Sequence, residues 1–170
     1  MKKTWITTLY ILILFTACKS GKNTDVVSQE RPVSLTEVYN WVNNKEFAFR
    51  ADWATPLRSE RIMVSDIANG IIVRNDSIVG QLPFYGVRQV GYNFTESGIK
   101  LSGQLKNPKV DVNESRNAIL FKFDVAEKGE VFEFQITVFG NKTAYVDVNS
   151  NERDSMRYQG ELKKITNQKN

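Results

Sequence analysis

The 170-residue sequence contains no histidine and one cysteine, Cys18. Without histidine the chain loses the commonest general base and the commonest neutral metal ligand. One cysteine cannot close a disulfide within the chain, which excludes a disulfide-stapled fold. There is no Gly-x-Ser-x-Gly elbow to expose a serine nucleophile, and no glycine-rich phosphate loop. No internal repeat or low-complexity stretch stands out. Charge of one sign is also lacking: 23 basic residues face 19 acidic ones, alternating along the chain without a basic patch. That balance argues against nucleic acid as a partner.

The one long apolar run lies at the start. Lys2 and Lys3 precede it, Trp5 to Phe15 is almost uninterrupted, and Thr16-Ala17 leads into Cys18. A run of about 11 residues is too short for a bilayer core that needs about 20. The pattern is that of a secretory signal with a small residue at the cut site. Phe15-Thr16-Ala17-Cys18 resembles the bacterial lipoprotein signal, in which the cysteine thiol is acylated and becomes the mature N-terminus. Phe15 stands where leucine is usual. The alternative is an ordinary signal whose cysteine is incidental. Acylation makes the membrane a partner through Cys18, with strong two-chain anchoring, and leaves no free thiol. Loss of Lys2 and Lys3 with the signal brings the mature chain close to neutral.

The expected organisation is a signal at residues 1–17, then an acylated cysteine and flexible tether at 18–33. A single β-rich domain at 34–165 and a short tail at 166–170 follow. Ser34-Leu35-Thr36-Glu37 has capping-box spacing, and Leu35, Val38, Tyr39 and Val42 share one helical face. Beyond Lys45 the period is two. Phe47, Phe49, Ala51 and Trp53 are expected on one face. Ile62 and Val64 begin another strand, and Asn75-Asp76 turns a hairpin. Ile119 to Val125 pairs with Phe132 to Val138 through Lys128-Gly129. Val146-Val148 and Tyr158-Leu162 follow. About nine or ten short strands after one short amphipathic helix, with no helix left for a crossover, predict a mainly β fold. The expected form is an antiparallel curved sheet, barrel-like or a sandwich.

Candidate chemistry is sparse. Asp111, Glu114, Asp124, Glu133 and Asp147 fit outward strand positions or turns, so no catalytic residue and no metal site is assigned. No cofactor is expected. Four Asn-x-Ser/Thr triplets, beginning at Asn75, Asn93, Asn113 and Asn141, read as turn chemistry in a bacterial protein. The segment Leu82–Phe94 is the one least explained by a plain barrel. It interleaves Phe84, Tyr85, Tyr92 and Phe94 with Gly86, Gly91 and Arg88. Either these rings close one end of the sheet, or they form a stacking surface for a ligand. Arg153, Arg157 and Tyr158 make a second polar-aromatic group.

Phe47-Ala48-Phe49-Arg50-Ala51, Val73-Arg74-Asn75-Asp76-Ser77-Ile78-Val79 and Leu82-Pro83-Phe84-Tyr85-Gly86 occur in that order. Near the end come Val146-Asp147-Val148-Asn149-Ser150-Asn151, Arg153 and Tyr158-Gln159-Gly160. Together they resemble the domain of unknown function 4251 family, over about Glu37 to Leu162. The resemblance implies a small Bacteroidota lipoprotein or secreted protein and lends no activity. The chain departs from the family's small, Gly-rich pattern just after Gly86, at Val87-Arg88-Gln89-Val90. Lys19-Ser20-Gly21-Lys22 lacks the acidic residues that such lipoproteins carry when sent outward. The expected location is therefore the outer membrane, facing the periplasm. The function expected is a non-enzymatic module binding a small ligand or an envelope protein. The alternatives are an assembly component pairing through a sheet edge, or a hydrolase with two carboxylates in a cleft.

Overall fold

The computed structural model describes residues 33–89 and 98–165. Cys18, the signal and nearly all of the tether lie outside the described residues, as do Tyr92 and Phe94. Helix α1 spans Leu35–Asn43. The Glu37 amide donates to the Ser34 hydroxyl at 3.2 Å, the first half of the expected capping box. Its buried face is Val38, Trp41 and Val42, with Leu35 and Tyr39 packed at its border.

Ten strands follow: β1 Glu46–Pro56, β2 Ile62–Met63, β3 Gly70–Arg74, β4 Ser77–Leu82 and β5 Ile99–Gln104, then β6 Lys106–Asn113, β7 Ala118–Glu127, β8 Glu130–Phe139, β9 Thr143–Ser150 and β10 Met156–Lys164. They form one antiparallel sheet in the order β5-β4-β3-β1-β10-β9-β8-β7-β6, with β2 added on β1. The expected class is thus what the structure has: mainly strands, one antiparallel sheet nearly closed into a barrel, one short helix before it. Two meanders, β3-β4-β5 and β6 to β10, are joined by β1, which lies between β3 and β10.

Short turns carry the chain between neighbours. Asn75 takes φ 54° in the two-residue link from β3 to β4. Lys128 and Gly129 both take positive φ between β7 and β8, the conformation a tight hairpin of matching twist requires.

Inward positions fill the barrel. Phe47 meets Phe121 edge to face at 6.0 Å, and Phe123 and Phe134 stack at 5.0 Å with their planes 6° apart. Helix α1 packs on β1, β7 and β8 where β1 and β7 begin and β8 finishes, closing that end. Side chains also close the seam between β5, at one end of the sheet, and β7, next to the other end. The Ser102 amide donates to Glu127 Oε2 at 3.0 Å, and Val125 packs at Gly103. The outer edge of β6 carries Lys106, Pro108 and Lys109, with a register irregularity between the two lysines. Each of these blunts pairing with another chain.

One expectation is corrected. Trp53 does not share the inward face of Phe47, Phe49 and Ala51. The register of β1 on β10 runs Ala51 to Gly160, then Trp53 to Gln159. Asp52 is therefore a bulge, and the extra residue reverses the parity that follows. Ala54 is buried instead, and Trp53 turns outward beneath Arg61, whose guanidinium carbon lies 3.9 Å above the ring. Val64 is buried as its alternation implies, but the strand stops at Met63.

Candidate functional site at the barrel end opposite the helix

At the end away from α1, the segments 57–61, 83–89, 128–129 and 151–155 converge. Residues 83–89 are pinned across this end. The Tyr158 hydroxyl, on a fully buried ring, donates to the Pro83 carbonyl at 2.7 Å. Burial pushes this phenol well above its ordinary pKa, so it remains a donor. The Gln89 amide donates to the Glu152 carbonyl at 2.7 Å and the Asp154 amide to the Val87 carbonyl at 3.0 Å. The Val87 amide donates to Asp154 Oδ2 at 3.1 Å, and Arg88 and Arg153 face each other in a short antiparallel bridge. Gly86 is needed because the Phe84 ring folds back on it. A Cβ there would lie 2.8 Å from that ring and 3.0 Å from Asp154.

Beneath the loop lies the one buried carboxylate among the described residues, Glu130, 3% exposed. Arg153 grips it with both Nε, at 2.6 Å, and Nη2, while the Ser150 hydroxyl also donates to it. Arg153 in turn lies 5.1 Å from the Phe84 ring and 5.2 Å from that of Phe132. Arg88 Nη2 is shared, at 3.5 Å from Glu130 and 3.1 Å from Glu152. Burial alone would raise the Glu130 carboxyl pKa. The bonds from Arg153 and Ser150 and the fields of both arginines outweigh it and hold the group below the usual carboxylate range. Glu130 is therefore an ionised anchor rather than a proton donor.

Next to this cluster is a groove of about 260 Å³ between the 57–59 and 85–87 segments, lined by Pro56, Leu57, Arg58, Tyr85, Val87 and Asp154. Leu57 and Val87 are each about 60% exposed and Tyr85 43%. The sequence candidates thus separate. Phe84 turns inward onto the core, Arg88 joins the ion cluster, and Tyr85 alone of the described aromatics in the segment faces outward. Leu57 and Glu130 were not among the sequence candidates, Val87 fell within the Leu82–Phe94 segment without being singled out, and Arg153 stood only in the second polar-aromatic group. Glu130 had a signal: it shares parity with Phe132 and Phe134. The second polar-aromatic group disperses, since Tyr158 is buried and Arg157 points outward to Asp147 at 2.5 Å. Asp111, Glu114 and Glu133 are exposed, and Asp124 and Asp147 are half-buried with partners at Asn107 and Arg157.

Replacing Tyr158 by Phe should cost about 1 kcal/mol, the ordinary worth of one hydrogen bond. The loss should appear as faster amide exchange at Val87, Gln89 and Asp154, with the strands unchanged.

The architecture defines a class: a nearly closed, ten-stranded antiparallel barrel with a helix at one end and a pinned loop at the other. The profile of the domain of unknown function (DUF4251) family matches residues 29–162, and the chain belongs to that family. Among solved structures it is similar to a crystal structure of a DUF4251 family protein from Bacteroides eggerthii DSM 20697. The two are 18% identical with a TM-score of 0.62, over 76% of this chain and 87% of that one. No curated protein matches the sequence.

Proposed function

We propose that this chain is a bacterial envelope lipoprotein that is anchored through Cys18, faces the periplasm and binds a partner without catalysing a reaction. The observation that carries the binding reading is the groove at the barrel end. A loop held by two backbone–backbone bonds, an amide bond to Asp154 and a buried phenol nonetheless exposes Tyr85 and Val87, which share one concavity with Leu57. Rigid, exposed apolar groups in a concave setting are what recognition surfaces present at low entropic cost. The non-enzymatic reading rests on the lack of histidine and on the commitment of Glu130 and Glu152 to arginines. Pairing through a sheet edge has less support, because β6 carries Lys106, Pro108 and Lys109 and Glu127 caps an amide of β5.

The test has two arms, both in native membranes. Wild type should take up labelled palmitate and sediment with the envelope, and Cys18→Ser should do neither. A photo-crosslinking residue at position 85 should give discrete adducts that the same residue at Lys122, on the outer wall of β7, does not give. Equal labelling of wild type and Cys18→Ser overturns the anchor. Identical adducts from both sites, or none from position 85, overturn the binding surface.

A further inference from the structure

The outer wall of β1, β3 and β4 carries a second concavity, remote from the barrel-end loops. Lys163, Ala48, Ile72 and Val79 are successive cross-strand neighbours on four adjoining strands. The next row runs Glu161, Arg50, Gly70, Gln81. Gly70 breaks that row. A Cβ there would lie 2.3 Å from the Phe49 carbonyl oxygen, so the close approach of β3 to β1 leaves no room for a side chain. The pit over Gly70 is walled by Ala48, Ile72 and Val79, and Ile67 and Ala68 of the preceding connection stand at its side. It measures about 430 Å³, within the range of small-molecule sites.

Two features define what fits. The walls are apolar, and Ile67, Ile72 and Val79 are 94%, 43% and 48% exposed, so burying them would be favourable. Among the described residues, the only charged ones lining the pit are cations, Arg50 and Lys163. Their partners, Asp52 at 3.3 Å and Glu161 at 3.5 Å, form solvent-exposed pairs that hold a cation weakly. Both heads therefore remain available to an anion at the mouth.

We propose that this pit binds a single aliphatic chain ending in a carboxylate, with the chain on Ala48, Ile72 and Val79 and the carboxylate between Arg50 and Lys163. The proposal is independent of the barrel-end reading. The probe is decanoate below its micellar concentration, titrated calorimetrically into the full chain carrying Cys18→Ser, so that no acyl group of its own competes. One saturable site is expected, with decanol weaker by about 10-fold for want of the charge-assisted bonds. Arg50→Gln/Lys163→Gln should lower decanoate to the level of decanol. Ile72→Asp, at a position 43% exposed, should abolish both while its far-UV circular dichroism stays that of wild type, and Ile72→Ser serves in its place if it does not fold. Unsaturable uptake, or decanoate binding unchanged by Ile72→Asp, overturns the proposal. So does Ile72-dependent sedimentation with phosphatidylglycerol vesicles in the absence of decanoate binding, which would make the face a bilayer contact instead.

Discussion

Replacing Arg153 by Met should destabilise the domain by about 3–5 kcal/mol, the cost of leaving a buried carboxylate without its partner. The side chains of Arg153 and Glu130 are 7% and 4% exposed, so water cannot take over the missing contact. Arg88 cannot substitute, since its nearest nitrogen stands 3.5 Å from Glu130 and is shared with Glu152. Its Nε is already buried without an acceptor among the described residues. The double change Glu130→Leu/Arg153→Met should recover much of the loss, because exchanging a whole buried pair for apolar groups is often neutral. Urea unfolding of the two single variants and the double variant measures both quantities. If Arg153→Met matches wild type within 1 kcal/mol, the pair does not hold the barrel end.

The same pair sets a pH dependence. Glu130 has a folded-state pKa below its unfolded value of about 4.3. Its contribution is therefore fully present above that unfolded value and disappears as pH falls through the lower folded one. Wild-type stability should decline on the acid side of about pH 4 more steeply than that of Glu130→Leu/Arg153→Met. Equal slopes would mean that folding does not lower the Glu130 pKa.

How much of this was legible in the sequence depends on the range of the interaction. The class of fold was legible because period-two alternation from Phe47 onward is local, and tight turns at Asn75-Asp76 and Lys128-Gly129 fix the hairpins. The N-cap at Ser34 was legible for the same reason. Trp53 was misassigned because a one-residue bulge at Asp52 leaves no local trace and reverses every side chain beyond it. Closure was ambiguous because it rests on Glu127 reaching Ser102 across 25 positions, a contact no periodicity encodes. At the barrel end, the Leu82–Phe94 segment drew notice for its aromatics. The structure gives Phe84 to the core and leaves the exposed role to Tyr85, together with Leu57 from a distant loop. Arg153 stood out in the sequence only beside Arg157 and Tyr158, and its pairing with Glu130 has no cue there, since that partner lies 23 positions earlier in another hairpin. The outer-wall pit was equally hidden. Gly70 opens a paired strand where the neighbouring backbone comes closest, a contact no local pattern encodes.

The second large effect is expected at Gly160. This residue sits in the middle of β10 opposite Ala51, one position before the bulge. A Cβ added there would lie 1.9 Å from the Arg50 carbonyl oxygen, 2.9 Å from its carbon and 3.1 Å from the Ala51 Cα. All three atoms are backbone, so no side-chain rotation relieves the overlap. The β1–β10 ladder must open, and it holds the two meanders together. Gly160→Ala should therefore cost about 3 kcal/mol or more, at the upper end of overpacking effects, with loss of protection at Arg50 and Ala51 first. Gly129→Ala is the informative comparison. Its Cβ would meet nothing within 4 Å, so only its positive φ of 89° opposes the change. That costs about 1 kcal/mol, the penalty of a left-handed residue bearing a side chain. Thermal unfolding of the two variants should thus separate steric from conformational cost. Gly160→Ala as stable as Gly129→Ala would mean that β1 and β10 are not clasped as closely as the structure has them.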